Sequence, residues 1–302
     1  MKPAPVPRVT IGVPVYNGER FLSEALGSLI DQTYDDIEIL VVDNASTDST
    51  ENVAREFAAR DSRVRYVRNV QNIGAGRNFI RCVQLARSEF FRWQSADDYS
   101  DRTFVERCVE VLDAHDDVIQ VYPRTILIDE HGNELDRYDD GIATLADSPR
   151  DRYLHVMRNL RLVNAFYGVM RTELLRKTAI HGAYTGADLI VQAEIALYGK
   201  IWEVPEYLYF RRMHAAAHSA MNDEERNRFY NPGKESRREY TQSRQLAERL
   251  ASVLRAPLPP SEKARLTGTL LRGGVSNRGE LVHELVDGLR YRLARNSAVV
   301  SR

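Results

Sequence analysis

The apolar residues of the first hundred positions fall into two alternating rhythms. Val9-Thr10-Ile11-Gly12-Val13-Pro14-Val15 is a short β-branched run that predicts a strand, and Tyr16-Asn17-Gly18 after it is a turn signal. From Glu19 onward Phe21, Leu22, Ala25, Leu26, Leu29 and Ile30 recur at helical spacing and mark one apolar face. Residues 37–42 read as a second strand ending on a carboxylate, Asp43. Asp48-Ser49-Thr50-Glu51 is spaced like a capping box and opens a helix to about residue 60. A short strand at 64–67, a segment at 69–78 punctuated by Gly74 and Gly76, and a helix at about 77–86 follow. Phe90-Phe91-Arg92-Trp93 is an aromatic strand that stops at adjacent carboxylates, Asp97-Asp98. Such regular alternation predicts a parallel, doubly wound sheet.

Beyond the acidic pair the rhythm changes. Asp101 reads as the cap of a helix at 102–115, followed by a strand at 118–122. Residues 126–129 and 134–135 flank His131-Gly132-Asn133 and predict a hairpin. Helices are expected at 150–158 and 172–178, with a strand at 166–170 between them. A glycine-bounded stretch, 182–186, leads to Ala187-Asp188 and a helix marked by Leu189, Ile190, Ala193, Ile195, Ala196 and Leu197. The run 202–210 is interrupted by Pro205 and meets the basic cluster Arg211-Arg212-Met213-His214. From 222 to 302 the chain reads as charged helices broken at Pro257-Leu258-Pro259-Pro260. This half is α+β in pattern, suited to a lid or an acceptor surface. Near its end Leu281, Leu285, Leu289 and Leu293 recur every fourth residue beside Arg290, Arg292 and Arg295. That row packs a helix on its own domain in the plainest reading, Gly288 weakening it; pairing into a homodimer or peripheral membrane contact are the other uses it allows.

Composition narrows the classes. The 302 residues, 43% apolar and 28% charged with a net charge of −1, describe a globular protein with no global field toward nucleic acid. No apolar run approaches the ~18 residues of a membrane span. Met1–Arg8 is proline-rich without an apolar core, unlike a secretory signal. Cys82 and Cys108 each fall in an expected helix, which fits buried thiols in a reducing cytoplasm.

The candidate chemistry lies where strands end. In open α/β sheets ligands bind outside the carboxyl ends of the strands, and both Asp43 and Asp97-Asp98 are expected there. Two neighbouring carboxylates repel unless solvated or shared with a cation, and an oxygen-rich site of this kind suits Mg²⁺ or Mn²⁺ carrying a diphosphate. A dinucleotide fingerprint fails, because Gly74-Ala75-Gly76 is followed by Phe79 where a third glycine belongs and does not follow the first strand. A sugar-nucleotide pyrophosphorylase would open with a glycine-rich, lysine-containing loop, and residues 14–20 offer only Gly18 and no lysine.

Taken together, Val13-Pro14-Val15-Tyr16-Asn17-Gly18, Gln32-Thr33-Tyr34, residues 38–48 ending Val42-Asp43-Asn44-Ala45-Ser46-Thr47-Asp48, Asn72-Ile73-Gly74-Ala75-Gly76-Arg77-Asn78 and Ser95-Ala96-Asp97-Asp98 resemble the family-2 inverting glycosyltransferases of the GT-A fold. The resemblance covers about residues 9–219 and is silent on the sugars. It implies a GT-A domain at 1–220, with a nucleotide half at about 8–100 and an acceptor half at about 101–220, and a helical C-terminal extension at 221–302. It implies transfer from a UDP- or dTDP-sugar to the hydroxyl of a saccharide, lipid-linked or other acceptor, in assembly of cell-surface polysaccharide or glycolipid. Pro14, Val15, Tyr16, Asn17, Asp43, Arg77, Ser95, Ala96 and Asp97 would hold the donor, with Asp43 accepting a base N–H. Asp97, Asp98 and His214 would ligate Mg²⁺ or Mn²⁺. Asp188 matches the family's catalytic base, and Glu194 is the fallback. Arg211, Arg212, His214, His218 and Ser219 resemble its phosphate-closing segment. One position departs: the family's first aspartate of the acidic motif is Ser95 here, which weakens the metal set. A non-catalytic nucleotide-sugar-binding or scaffold protein derived from the family is the alternative.

Overall fold

The computed structural model describes residues 6–215, 221–233 and 241–276. Its centre is a nine-stranded sheet. β1 (Val9–Val15) lies between β2 (Ile37–Asp43) and β4 (Phe90–Trp93), and β3 (Val64–Arg68) extends the parallel array beyond β2. β8 (Val169–Arg171) runs antiparallel between β4 and the long β6 (Val118–Ile128). β9 (Lys200–Arg212) pairs parallel with β6, β5 (Tyr99–Ser100) closes one edge against β9, and β7 (Glu134–Tyr138) pairs with the far end of β6. The sheet is mostly parallel, as the pattern predicts.

Burial on both faces explains the continuous apolar strands. Side chains alternate, so Ile37, Ile39 and Val41 pack against α1 (Leu22–Ile30), α2 (Thr50–Arg60) and α4 (Phe104–Ala114), whereas Leu40 and Val42 pack with α3 (Ala75–Leu85) on the opposite face. That second face also receives α5 (Pro149–Asn159), α7 (Ala187–Ile195), α9 (Thr241–Arg255) and α10 (Pro260–Ser276). Val253, Ala256, Leu266 and Leu270 of the last two helices belong to the same core as Phe91 and Trp93. The described part of the expected extension is therefore built into the core. α6 (Thr172–Leu175) and α8 (Asp223–Tyr230) are short.

Several boundaries differ from expectation, each for a physical reason. The strand expected at 118–122 continues through Pro123 to Ile128, because β9 supplies partners along its length. Pro205 does not interrupt β9; the register jumps from Pro123 opposite Val204 to Arg124 opposite Tyr207, so the proline sits in an irregularity where no ladder donor is needed. The strand expected at 166–170 is instead a 3₁₀ turn, Asn164–Tyr167, followed by β8. At the start of α2 the capping box is not reciprocal within the helix. Asp48 takes the Thr50 N–H at 3.0 Å, and Glu19, from the β1 exit, accepts from the Ser49 N–H at 2.8 Å. The leucine row beyond residue 280 and His218 and Ser219 lie outside the described residues.

Candidate active site

The exits of β1 and β2 are stitched together by side chains. The Asn17 N–H donates to Ser46 Oγ at 2.9 Å, and Asn17 Oδ1 accepts from the Thr47 N–H at 2.8 Å. Asn17 and Ala45 take left-handed backbone angles, φ 53° and 63°, which tighten the two turns. Pro14 and Val15 are buried in β1, while Tyr16 and Asn17 are exposed at its end. Asp43 behaves otherwise than expected. Its side chain is 0% exposed, and its oxygens accept from the Tyr66 hydroxyl at 2.6 Å, the Arg68 guanidinium at 2.5 Å and the Ser46 N–H at 2.8 Å. In this arrangement the carboxylate is closed to a nucleobase. Of the turn it fixes only Thr47 is exposed, and Arg68 also donates to the Ser46 carbonyl at 2.8 Å.

The glycines of the segment 72–78 serve packing. A Cβ on Gly76 would lie 2.2 Å from the Gly182 carbonyl oxygen, and one on Gly74 would lie 2.3 Å from that of Tyr230. The first approach seats the loop before Asp188 on the first turn of α3, and the second seats the end of α8 beside it. Arg77 is exposed and donates to the Ile73 carbonyl, while Asn78 is buried and donates to the Val42 carbonyl at 2.8 Å.

At the end of β4 the two acids of the motif part ways. Asp98 is buried; the Tyr209 hydroxyl donates to one oxygen at 2.6 Å and the Arg212 N–H to the other at 2.8 Å. Burial pushes its pKa up to about 6 against these stabilising hydrogen bonds. Asp98 thus uses both oxygens to lock the motif onto β9, which leaves it poorly placed as a metal ligand. Asp97 remains partly exposed, and its Oδ2 lies 3.3 Å from His214 Nε2. The His214 ring, 5% exposed, packs against Phe21 with centroids 5.0 Å apart. Ser95 and Ala96 precede Asp97, with Ser95 Oγ 3.5 Å from the Asp97 N–H.

The basic cluster is committed to structure. The Arg212 side chain, 2% exposed, donates to the carbonyls of Asp97, Asp129 and Glu130 and pairs with Glu24. Arg211 donates to the Leu162 carbonyl and to Asn164 Oδ1. Neither guanidinium is placed as the phosphate clamp that the resemblance implies. Underneath, Arg92 is buried beside the Phe104 ring and donates to Gln94 Oε1 at 2.7 Å; burial lowers its pKa to about 10. Gln94 in turn donates to the Asp98 carbonyl at 2.8 Å. Sequence reasoning missed this local support, and it missed Tyr209 because only β9 brings that hydroxyl to Asp98.

In the second half of the chain Asp188 sits at the second residue of α7, partly exposed, with Oδ1 accepting from the Leu189 N–H at 3.0 Å. Glu194 cannot serve as the fallback base. Its side chain is 0% exposed and accepts from Arg255 at 2.8 Å and from the Ala179 N–H at 3.0 Å. The Tyr167 ring stacks on Tyr209 at 5.3 Å, and its pKa is raised first by burial and then by the negative charges of Asp98, Asp188 and Asp97. Tyr209, whose hydroxyl donates to Asp98, thus joins the acidic motif to the turn that carries Tyr167.

Among the described residues no cluster of three or more His, Cys, Asp or Glu is arranged to hold a cation. The pair Asp97–His214 nonetheless fits part of one, since neighbouring ligands of a six-coordinate ion with ~2.1 Å bonds are about 3 Å apart. The set is completed only if a bound diphosphate and water supply the remaining oxygens.

The mostly parallel sheet, with the acidic motif at the end of β4 and Asp188 at the start of α7, has the architecture of a glycosyltransferase of the GT-A type. A sequence model of the family described as Glycosyl transferase family 2 matches residues 10–177, and the chain belongs to that family. An uncharacterized glycosyltransferase of Haemophilus influenzae is 26% identical over 235 residues, 73% of this chain and 70% of that protein. The uncharacterized glycosyltransferase EpsJ of Bacillus subtilis is 33% identical over 106 residues, 35% of this chain, and the match spans only 30% of its length. In fold, the chain is similar to S. aureus TarS 1–349 in complex with UDP-GlcNAc, with a TM-score of 0.64, 17% identity and coverage of 94% of this chain and 81% of that one. It is also similar to the mannosyltransferase PcManGT of Pyrobaculum calidifontis in complex with GDP-Man and Mn²⁺, with a TM-score of 0.53, 18% identity and coverage of 95% and 88%. No helix among the described residues is long and apolar enough to cross a membrane.

Proposed function

We propose that the protein transfers a sugar, with inversion, from a UDP- or dTDP-sugar to an acceptor hydroxyl, in assembly of a cell-surface polysaccharide or glycolipid. The observation that carries this reading is the pairing of Asp97 with His214 just beyond the end of β4, on a sheet of the GT-A type, with Asp188 at the start of α7. Nucleotide-sugar binding is supported by the similar folds in complex with UDP-GlcNAc and GDP-Man.

In this reading the base lies over Tyr16, Asn17 and the turn at Ser46–Thr47, with Asp43 fixing that turn from within. Asp97 and His214 hold Mn²⁺ or Mg²⁺ together with the diphosphate, and the imidazole disfavours Mg²⁺, which demands hard oxygen ligands. When bound, the ion neutralises charge developing on the departing diphosphate. Asp98 keeps the motif on β9 through Tyr209 and Arg212. Asp188 accepts the proton of the acceptor hydroxyl as its oxygen bonds to the anomeric carbon, and the bond from that carbon to the diphosphate breaks on the opposite face. The proton ends on Asp188 and the electron pair on the nucleoside diphosphate.

Calorimetry with UDP, dTDP and GDP, with and without Mn²⁺, tests the donor side. The reading predicts that UDP or dTDP binds, and binds at least tenfold tighter with Mn²⁺. Binding of GDP alone would contradict the donor, and affinity indifferent to Mn²⁺ would contradict the role of Asp97 and His214.

A further inference from the structure

We infer that α9 is a clamp on the loop that delivers Asp188, and that Arg244, Gln245 and Arg255 are positioning residues for the transfer step. The inference rests on the reading of Asp188 as base. It starts from a mismatch between what the loop 179–186 needs and what it has of its own. It belongs to no strand, and Ile180 within it takes φ 61°, a left-handed angle that costs a β-branched residue about 1–2 kcal/mol. A strained loop keeps one conformation only if its surroundings hold it there.

The holders lie at its start, middle and end. At the start, one oxygen of Glu194 accepts from the Ala179 N–H at 3.0 Å while the other accepts from Arg255 Nε at 2.8 Å. A single buried carboxylate thus ties the loop, the last turn of α7 and the last residue of α9. In the middle, Gly182 rests on Gly76. At the end, Gln245 Nε2 donates to the Thr185 carbonyl at 3.3 Å and occupies the space a Cβ on Gly186 would need, 2.6 Å away. Beside it the Arg244 guanidinium lies 4.6 Å from the centre of the Tyr184 ring.

Asp188 follows two residues after Gly186, so its carboxylate inherits whatever freedom the loop has. α9 reaches this loop directly at its end and through Glu194 at its start, whereas the turns at Asn17 and Ser46 are held by each other. The clamp should therefore control the chemical step and leave nucleotide binding alone. A misplacement of about 1 Å at a reacting group costs on the order of 100-fold in rate.

The test measures kcat, donor KM, nucleoside diphosphate affinity, melting temperature and amide hydrogen exchange of residues 179–188. It compares Arg244→Ala/Gln245→Ala, Arg255→Gln and Arg255→Lys, using the donor that turns over fastest in a panel of UDP-, dTDP- and GDP-sugars. The double variant should lose at least tenfold in kcat, with faster exchange in 179–188 and with donor KM and nucleotide affinity within twofold. Arg255→Gln should lose as much, and Arg255→Lys should recover most of it. A kcat within twofold of wild type in the double variant overturns the clamp. A kcat that falls only in step with nucleotide affinity and melting temperature also overturns it, because that is general loss of structure. Asp188→Asn, run in parallel, separates the two readings. If it is inactive while the clamp variants work, the clamp alone fails; if it is fully active, the base reading falls and the clamp falls with it.

Discussion

On the proposed reading, the donor side and the acceptor side of the site are built by different means. The donor turns leave adjacent parallel strands and bond to one another within a few residues of each strand end: Asn17 to Ser46 and Thr47, Asp43 to Ser46. The acceptor side is a long loop and a 3₁₀ turn pinned by distant segments, with Gly182 on α3, Ala179 and Thr185 on groups tied to α9, and Asn164 on Arg211 of β9. A site made from neighbouring strand ends is set as soon as the sheet forms. A site held from afar depends on the packing of several separate elements, so its position responds to changes in any of them.

The sharpest way to probe the difference begins at the motif between the two sides. Asp97→Asn should lower kcat on the order of 100-fold and remove the dependence on Mn²⁺, since it takes charge from the group proposed to hold the ion against the leaving diphosphate. A metal titration of initial rates checks this. Gly76→Ala attacks the seam instead. Its methyl would meet the Gly182 carbonyl, backbone against backbone, so about 2–3 kcal/mol of stability should be lost on denaturant unfolding, with transfer impaired as well.

Next in size is the pH dependence of Asp98. Its folded pKa, about 6, stands above that of an unfolded aspartate, so the folded state holds the extra proton between about pH 4 and 6. Stability from this group is present at low pH and falls as pH rises to about 6, by about 1–3 kcal/mol. Denaturation midpoints at pH 5 and 7.5 should differ in that direction, and Asp98→Asn should flatten the difference while Asp97→Asn leaves it. The smallest effect compares strain on the two sides. Ala45→Gly should stabilise by about 1 kcal/mol, and Ile180→Gly should be more stable than Ile180→Ala by a similar amount, because glycine accepts the left-handed angle without cost to the Cβ. A ranking with alanine above glycine at 180 would remove the argument that the loop is strained.

The same division governs how much the sequence discloses. Strands β1 to β4 and helices α1 to α4 are readable because their periodicity is local and each strand is a short apolar run between turn signals. The acidic motif and the position of Asp188 at a helix start are readable for the same reason. The separate fates of Asp97 and Asp98 are not, since they follow from Tyr209 and Arg212, more than a hundred residues away. Nor is the closure of Asp43, which depends on Arg68 from the next strand. Pro205 misleads because its effect on β9 is absorbed by a register jump that only pairing with β6 defines. Gly74 and Gly76 read in the sequence only as punctuation; that they admit Tyr230 and Gly182 follows from packing between segments more than a hundred residues apart.

The central claim, that Asp188 takes the acceptor proton during an inverting transfer, is tested most directly by single-turnover kinetics of Asp188→Asn with nuclear magnetic resonance of the wild-type product. The account predicts a fall in the chemical rate of at least 100-fold, unchanged nucleoside diphosphate affinity, and a product anomer opposite to that of the donor. Turnover of the variant near the wild-type rate, or a product that retains the donor's configuration, would contradict it.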